Sequence, residues 1–221
     1  MEKMAMFFLL LLSLTSLGQE NKSYVINPGQ RIKDVIPLSE IYKYSSFKDG
    51  QVSFLNNATS SESLNYNLIL GEMQFIAPNG DTLSIADVDK IKTIIIDTDS
   101  FIYNNGWLEK IGIRGGVKLV KKQIIRETSV TKNGVLDQPT RADATSYSNF
   151  SSGATDVNLI INQQLNFRKE TFYYFIDEQD KIFMLTNKNL KKLLPQYAGK
   201  FQEIRSNKSI SSPIGINQII A

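Results

Sequence analysis

The sequence predicts a mainly β protein of the α+β class, with an antiparallel meander sheet followed by a C-terminal helical segment. Short runs of β-branched and aromatic residues follow one another closely along the chain. Tight turns are predicted at Pro78–Asp81 and Asp177–Asp180, because Pro fixes φ while Asn, Gly and Asp favour reversals. Leucines recur at helical spacing only after Asn187. Together these patterns favour hairpins first and a helix at the end.

Residues 1–18 have the layout of a cleavable secretory signal peptide. The stretch Ala5–Leu17 is uncharged and largely apolar. It is shorter than the about 20 apolar residues that a membrane-spanning helix needs, so cleavage is expected instead of anchoring. Small residues at Ser16 and Gly18 favour a cut before Gln19. We therefore expect the mature chain to be periplasmic or extracellular and not an integral membrane protein.

The composition excludes several classes of site. The chain has no Cys and no His, which rules out disulfides, a lipid-modified Cys, Cys/His zinc sites and Ser-His-Asp catalysis. Its 25 basic residues are nearly balanced by 22 acidic ones, and like charges form no long run. We therefore expect no cofactor and no nucleic-acid partner.

An N-terminal antiparallel β region is predicted over residues 19–126. Its strands are expected where apolar and polar residues alternate between turn-forming residues. The predicted strands are Gln51–Leu55, Ser63–Leu70, Glu72–Ile76, Thr82–Ala86, Lys92–Asp97 and Phe101–Asn104, with one or two more over Val117–Val130.

The second half is predicted to begin with a polar loop or linker over residues 127–156, which is rich in Ser, Thr, Asn and Asp. Residues 157–221 are expected to add a β-hairpin and a C-terminal helix that pack with the N-terminal region. The hairpin strands are Thr171–Ile176 and Lys181–Leu185, and Asn187 is the predicted N-cap of the helix.

Two carboxylates, Asp97 and Asp99, follow the apolar run Thr93–Ile96. Acid pairs at a strand end can hold Mg²⁺ or Ca²⁺. This segment also resembles the nucleophile motif of haloacid-dehalogenase-like phosphatases and the acidic pair of some nucleotide-sugar transferases. Both resemblances imply alternating β and α units, which the sequence does not predict. We favour a turn role and no metal site, with a divalent-metal-dependent hydrolase using both aspartates as the alternative.

Aromatic residues suggest a second kind of site. Tyr103 and Trp107 lie close together and are candidates for stacking against a ligand such as a glycan. The run Phe172–Phe175 is aromatic on both faces of a strand, so at least one face belongs to a core. The basic residues Lys118, Lys121 and Lys122 are interpreted as one solvated strand face.

Two blocks resemble a group of exported, functionally uncharacterised β-rich proteins of Bacteroidota-type bacteria. They comprise Leu64–Asn67, Gly71–Ile76, Gly80–Leu83 and Phe101–Tyr103, and then Lys188–Leu190 with Leu194–Pro195. The resemblance implies export and a β-rich fold, and it assigns no catalytic residue. The sequence therefore favours an exported, non-catalytic binding or envelope-associated module, with an envelope protein or glycan as its partner.

Overall fold

The computed structural model describes residues 22–133, 139–142 and 164–197, and most of them belong to one antiparallel sheet. The predicted signal peptide and its cleavage site before Gln19 lie outside the described residues, as do the last 24 residues, 198–221. The prediction of a mainly β, antiparallel protein is confirmed.

Twelve strands form this sheet in the described part of the chain. They are β1 (Ser23–Ile26), β2 (Lys48–Phe54), β3 (Thr59–Asn67), β4 (Glu72–Ile76), β5 (Thr82–Ser84), β6 (Ile91–Ile96), β7 (Asp99–Tyr103), β8 (Trp107–Arg114), β9 (Val117–Asn133), β10 (Pro139–Ala142), β11 (Gln164–Ile176) and β12 (Ile182–Met184). Three short α-helices accompany them: α1 (Ile32–Val35), α2 (Leu38–Ile41) and α3 (Asn187–Leu193). The described residues also include 3-10 helices at Val88–Lys90 and Pro195–Tyr197.

The strand order combines two meanders. From one edge it runs β5-β4-β3-β2-β6-β7-β8-β9-β11-β1, with β10 added to β9 and β12 added to β11. Every pair is antiparallel, and β6 returns after β5 to pair with β2. The predicted C-terminal hairpin is β11 with β12, and it joins the N-terminal strands through β9.

The sheet curls back on itself. Strand β9 extends past the start of β8, and there the Ile125 amide donates a hydrogen bond of 2.7 Å to the Leu68 carbonyl, just after β3. Strands β3, β2, β6, β7, β8 and β9 therefore form a closed circuit, which we call the roll. One apolar cluster, the main core, fills it with residues from α1, α2 and strands β1 to β4, β6 to β9 and β11.

Helix α3 covers a second apolar cluster on the same face of the sheet, which we call the inner face. Leu190 and Leu194 pack there against Leu119 of β9 and Phe175 of β11. The N-cap of α3 is Thr186, whose hydroxyl accepts a hydrogen bond of 3.2 Å from the Asn189 amide. The prediction of Asn187 as the cap was therefore wrong by one residue.

Other predicted boundaries also need correction. Strand β9 is a single strand that continues through Asn133, so the linker predicted over residues 127–156 does not begin at residue 127. Residues 127–131 are mostly polar but stay extended because their backbone pairs with β11. Ser129 lies opposite Asn166, and Thr131 lies opposite Gln164. Residues 134–138 and 143–163, which include 19 of the 30 residues of that predicted linker, lie outside the described residues.

Gly50 allows neighbouring parts of the roll to approach β2 closely. A Cβ placed there would lie 2.7 Å from the Ile95 carbonyl oxygen and 2.8 Å from a Leu64 methyl carbon. Glycine inside a strand often marks such a close approach. The first of these contacts is with backbone, so it cannot be relieved by a side-chain rotation.

Gly50→Ala is expected to lower the free energy of unfolding by about 1–3 kcal/mol, because the added methyl group overpacks the roll. Urea denaturation followed by tryptophan fluorescence measures the change. Gln51→Ala, at the exposed neighbouring position, serves as the control and should change stability by less than about 0.5 kcal/mol. Equal stability of Gly50→Ala and the wild type would contradict the proposed close packing.

Candidate functional site

The two aspartates singled out from the sequence belong to a chain of charged contacts on the inner face. This charged network lies between the main core and the cluster beneath α3. It consists of Lys43, Tyr44, Lys48, Asp97, Asp99, Glu109 and Lys121.

Asp97 lies in the turn between β6 and β7, as the sequence predicts. Its φ of 57° is left-handed, a conformation that Asp tolerates better than most residues. The carboxylate contacts the Lys48 ammonium at 2.9 Å, and its side chain is 59% exposed. Asp97 is thus a solvated turn residue with a nearby cation.

Asp99, the first residue of β7, is held more firmly. The Tyr44 hydroxyl donates a hydrogen bond of 2.6 Å to its carboxylate, and the Lys43 ammonium lies 3.3 Å away. Burial raises the pKa of Asp99, but the Tyr44 hydrogen bond and the Lys43 charge outweigh it, so its pKa is lowered overall. Burial and the nearby Asp99 carboxylate raise the pKa of Tyr44, so its hydroxyl stays protonated and donates this bond.

Glu109 is the most enclosed carboxylate of the network. Its oxygens contact Lys43 at 2.6 Å and Lys121 at 2.9 Å, and its side chain is only 11% exposed. The Lys43 ammonium also lies 5.8 Å from the centre of the Phe101 ring, within the range of a cation–π contact. One carboxylate therefore bridges two ammonium groups at the edge of the main core.

The network fastens the segment that follows α2 onto the sheet. The Lys43 amide donates to the Tyr66 carbonyl at 2.9 Å, and the Tyr44 amide donates to the Asn65 side chain at 3.1 Å. The Lys43 and Tyr44 side chains then reach across to β7 and β8. Backbone and side-chain contacts together fix this segment over the inner face.

The acids of the network contact lysine side chains. Within the described ranges, no three His, Cys, Asp or Glu side chains are grouped so that they could hold a metal ion. Asp97 and Asp99 instead each face a lysine on the segment that enters or begins β2. Asp99 therefore joins the segment after α2 to β7, whereas Asp97 makes an exposed pair with Lys48.

The aromatic pair predicted from the sequence is real, but only one ring is accessible. Tyr103 and Trp107 make an edge-to-face contact with 5.3 Å between ring centres. Trp107 is 2% exposed and belongs to the main core, whereas Tyr103 is 40% exposed. The suggestion that Trp107 stacks on a ligand is therefore wrong, because its ring is buried.

The lysines interpreted as one solvated face are divided between the two faces of β9. Lys121 belongs to the inner face and contacts Glu109, whereas Lys118 contacts Asp180 at 2.8 Å. Side chains alternate between the two faces of a strand, and this alternation predicts from the sequence that Lys118 and Lys121 lie on opposite faces. The same alternation divides the aromatic strand: Phe175 is in the cluster beneath α3, and Tyr174 packs with the cluster on the opposite face, which we call the outer face.

No family profile, curated protein or solved structure matches this chain. In the part of the chain that the structure describes, none of the helices is long and apolar enough to cross a lipid bilayer. The resemblance to exported Bacteroidota-type proteins therefore stays a prediction.

Glu109→Gln is expected to lower the free energy of unfolding by about 2–3 kcal/mol, less than the loss at a fully buried ion pair. The variant leaves Lys43 and Lys121 facing a neutral amide in a largely enclosed site. Chemical denaturation measures the change, with Asp180→Asn at an exposed pair as the control, expected to cost at most about 1 kcal/mol. Similar losses in both variants would argue against a special role for the network.

The stability that Asp99 contributes is expected to depend on pH. Its pKa is lower in the folded chain, so the contribution is complete above the ordinary Asp pKa of about 3.9. It is lost as the pH falls through the lower folded value. Wild type and Asp99→Asn should therefore differ most in unfolding free energy near pH 7 and converge below about pH 4. A constant difference between pH 7 and pH 3, with exposed Asp49→Asn as the charge control, would contradict this assignment.

Proposed function

We propose that this protein is an exported, non-catalytic binding module that associates with the cell envelope. The observation that carries the proposal is the pairing of Asp97, Asp99 and Glu109 with lysines at 2.6–3.3 Å. Carboxylates held in this way contribute contacts to the roll, and their oxygens face lysines instead of one another. The predicted signal peptide supports export, and an α+β architecture with its helical segment after the sheet suits a small envelope module.

The packing of the roll limits where a partner can bind. Its interior is filled by the main core, so the surface that remains for a partner is the outside of the sheet and its turns. Two exposed large side chains lie on the outer face: Ile113 is opposite Lys118, and Met184 is opposite Tyr174. The outer face therefore offers a surface on which a partner could bind.

The proposal predicts that the full chain is cleaved before Gln19 during export and that the mature chain binds envelope material. Mass spectrometry of the exported protein measures the first point. Co-sedimentation of residues 19–221 with isolated envelope fragments measures the second, with bovine serum albumin as a non-binding control. Retention of residues 1–18 in a cytoplasmic protein, or failure to co-sediment, would refute the proposal.

The same purified protein distinguishes binding from the metal-dependent alternative. Addition of Mg²⁺ or Ca²⁺ is expected to leave the melting temperature unchanged, because lysines already occupy the positions around Asp97 and Asp99. A saturable rise in melting temperature that Asp97→Asn abolishes would favour the hydrolase instead.

A further inference from the structure

The outer face carries a row of cations and aromatic rings that the charged network does not use. We call it the basic–aromatic strip. Its members lie on the adjacent strands β8, β9 and β11 and are Lys110, Lys118, Lys122, Arg126, Phe172 and Tyr174.

The ladder registers place these residues side by side. Lys110 is opposite Val120, which is opposite Tyr174, and Lys122 is opposite Phe172. On β9 the cations recur every four residues, which spaces them by about 13 Å along the strand. Cations and rings therefore form a regular array across three neighbouring strands.

The floor of the strip is apolar and already covered. Leu108, Val120 and Ile176 are each at most 2% exposed, and Tyr174 packs against them. The Lys122 ammonium lies 3.4 Å from the Asn105 carbonyl in the β7–β8 turn, so its stem runs along the surface of the sheet. A partner would therefore contact the charged ends of the basic side chains and the edges of the aromatic rings, and little open apolar surface. This disfavours a lipid bilayer as the partner.

The existing contacts of the strip are of a kind that a ligand can replace. Lys118 pairs with Asp180 at 2.8 Å, and the aspartate is 76% exposed. Arg126 contacts Glu170 and lies 5.9 Å from the centre of the Phe172 ring. The exposed Lys118–Asp180 pair contributes at most about 1 kcal/mol, so an anion of higher local charge can compete with it. Glu170 is only 17% exposed, but the Arg126 side chain is 55% exposed and remains accessible to a ligand.

We propose that the basic–aromatic strip binds an acidic polysaccharide. Anionic groups repeated along the polymer would meet Lys110, Lys122 and Arg126, and the sugar rings would lie against Phe172 and Tyr174. Charge complementarity and the repeated spacing of the cations support this partner. The inference rests on the proposed function, because it names the envelope component to which the module binds.

The test uses residues 19–221 and affinity electrophoresis in native gels that contain polygalacturonate, with neutral dextran as the matched polymer. Retardation is expected in polygalacturonate only, and it should weaken in 0.5 M NaCl because salt screens surface charges. The double variant Lys110→Gln with Lys122→Gln should bind about tenfold more weakly, which corresponds to about 1.4 kcal/mol. Phe172→Ala with Tyr174→Ala should also weaken binding, provided that its circular dichroism spectrum is unchanged.

Lys188→Gln with Lys191→Gln is the matched control, since it removes two exposed lysines from α3 on the inner face. A loss of binding in this control equal to that of Lys110→Gln with Lys122→Gln would overturn the assignment to the strip. Tighter binding to single-stranded DNA or to anionic phosphatidylglycerol vesicles than to polygalacturonate would overturn the choice of partner. Absence of polygalacturonate binding while envelope co-sedimentation persists would overturn this inference alone, and loss of both would overturn the proposed function as well.

Discussion

The hydrogen bond from the Ile125 amide to the Leu68 carbonyl closes the sheet, and the rest of the architecture depends on that closure. A closed sheet must curve strongly, and β-bulges contribute to that curvature here. Bulges occur between Ser53 and Phe54, between Lys110 and Gly112, and between Asn166 and Phe167. A bulge bends its strand and increases local twist, so these three sites let a long sheet wrap one core.

Curvature also explains where the charged network lies. The inner face supports two apolar clusters, one inside the roll and one beneath α3, and the network occupies the boundary between them. Glu109 lies there in contact with two ammonium groups, those of Lys43 and Lys121. Placing a single charged side chain at this boundary would cost free energy, because the charge would lose contact with water. Contacts between opposite charges reduce that cost. The network also gives the segment after α2 one defined position on the sheet.

Local signals in the sequence predicted local structure well. Strand β4 begins and ends at the predicted residues, and the turn at Asp97 was expected from residue type alone. Strand β8 was missed because a bulge at Ile111 interrupts its alternation. The partners of Asp99 were also missed, since Tyr44 is 55 residues away and only the folded sheet brings them together. The burial of Trp107 likewise depends on the roll, which no local pattern reveals.

Strand β1 has a consequence for the order in which the protein assembles. Ser23, near the start of the described chain, pairs with Arg168 near the end of the sheet. A strand whose partner is so distant in sequence cannot be paired until most of the chain is available, and topologies of this kind fold slowly. The emerging N-terminal part therefore stays without its final partner during synthesis.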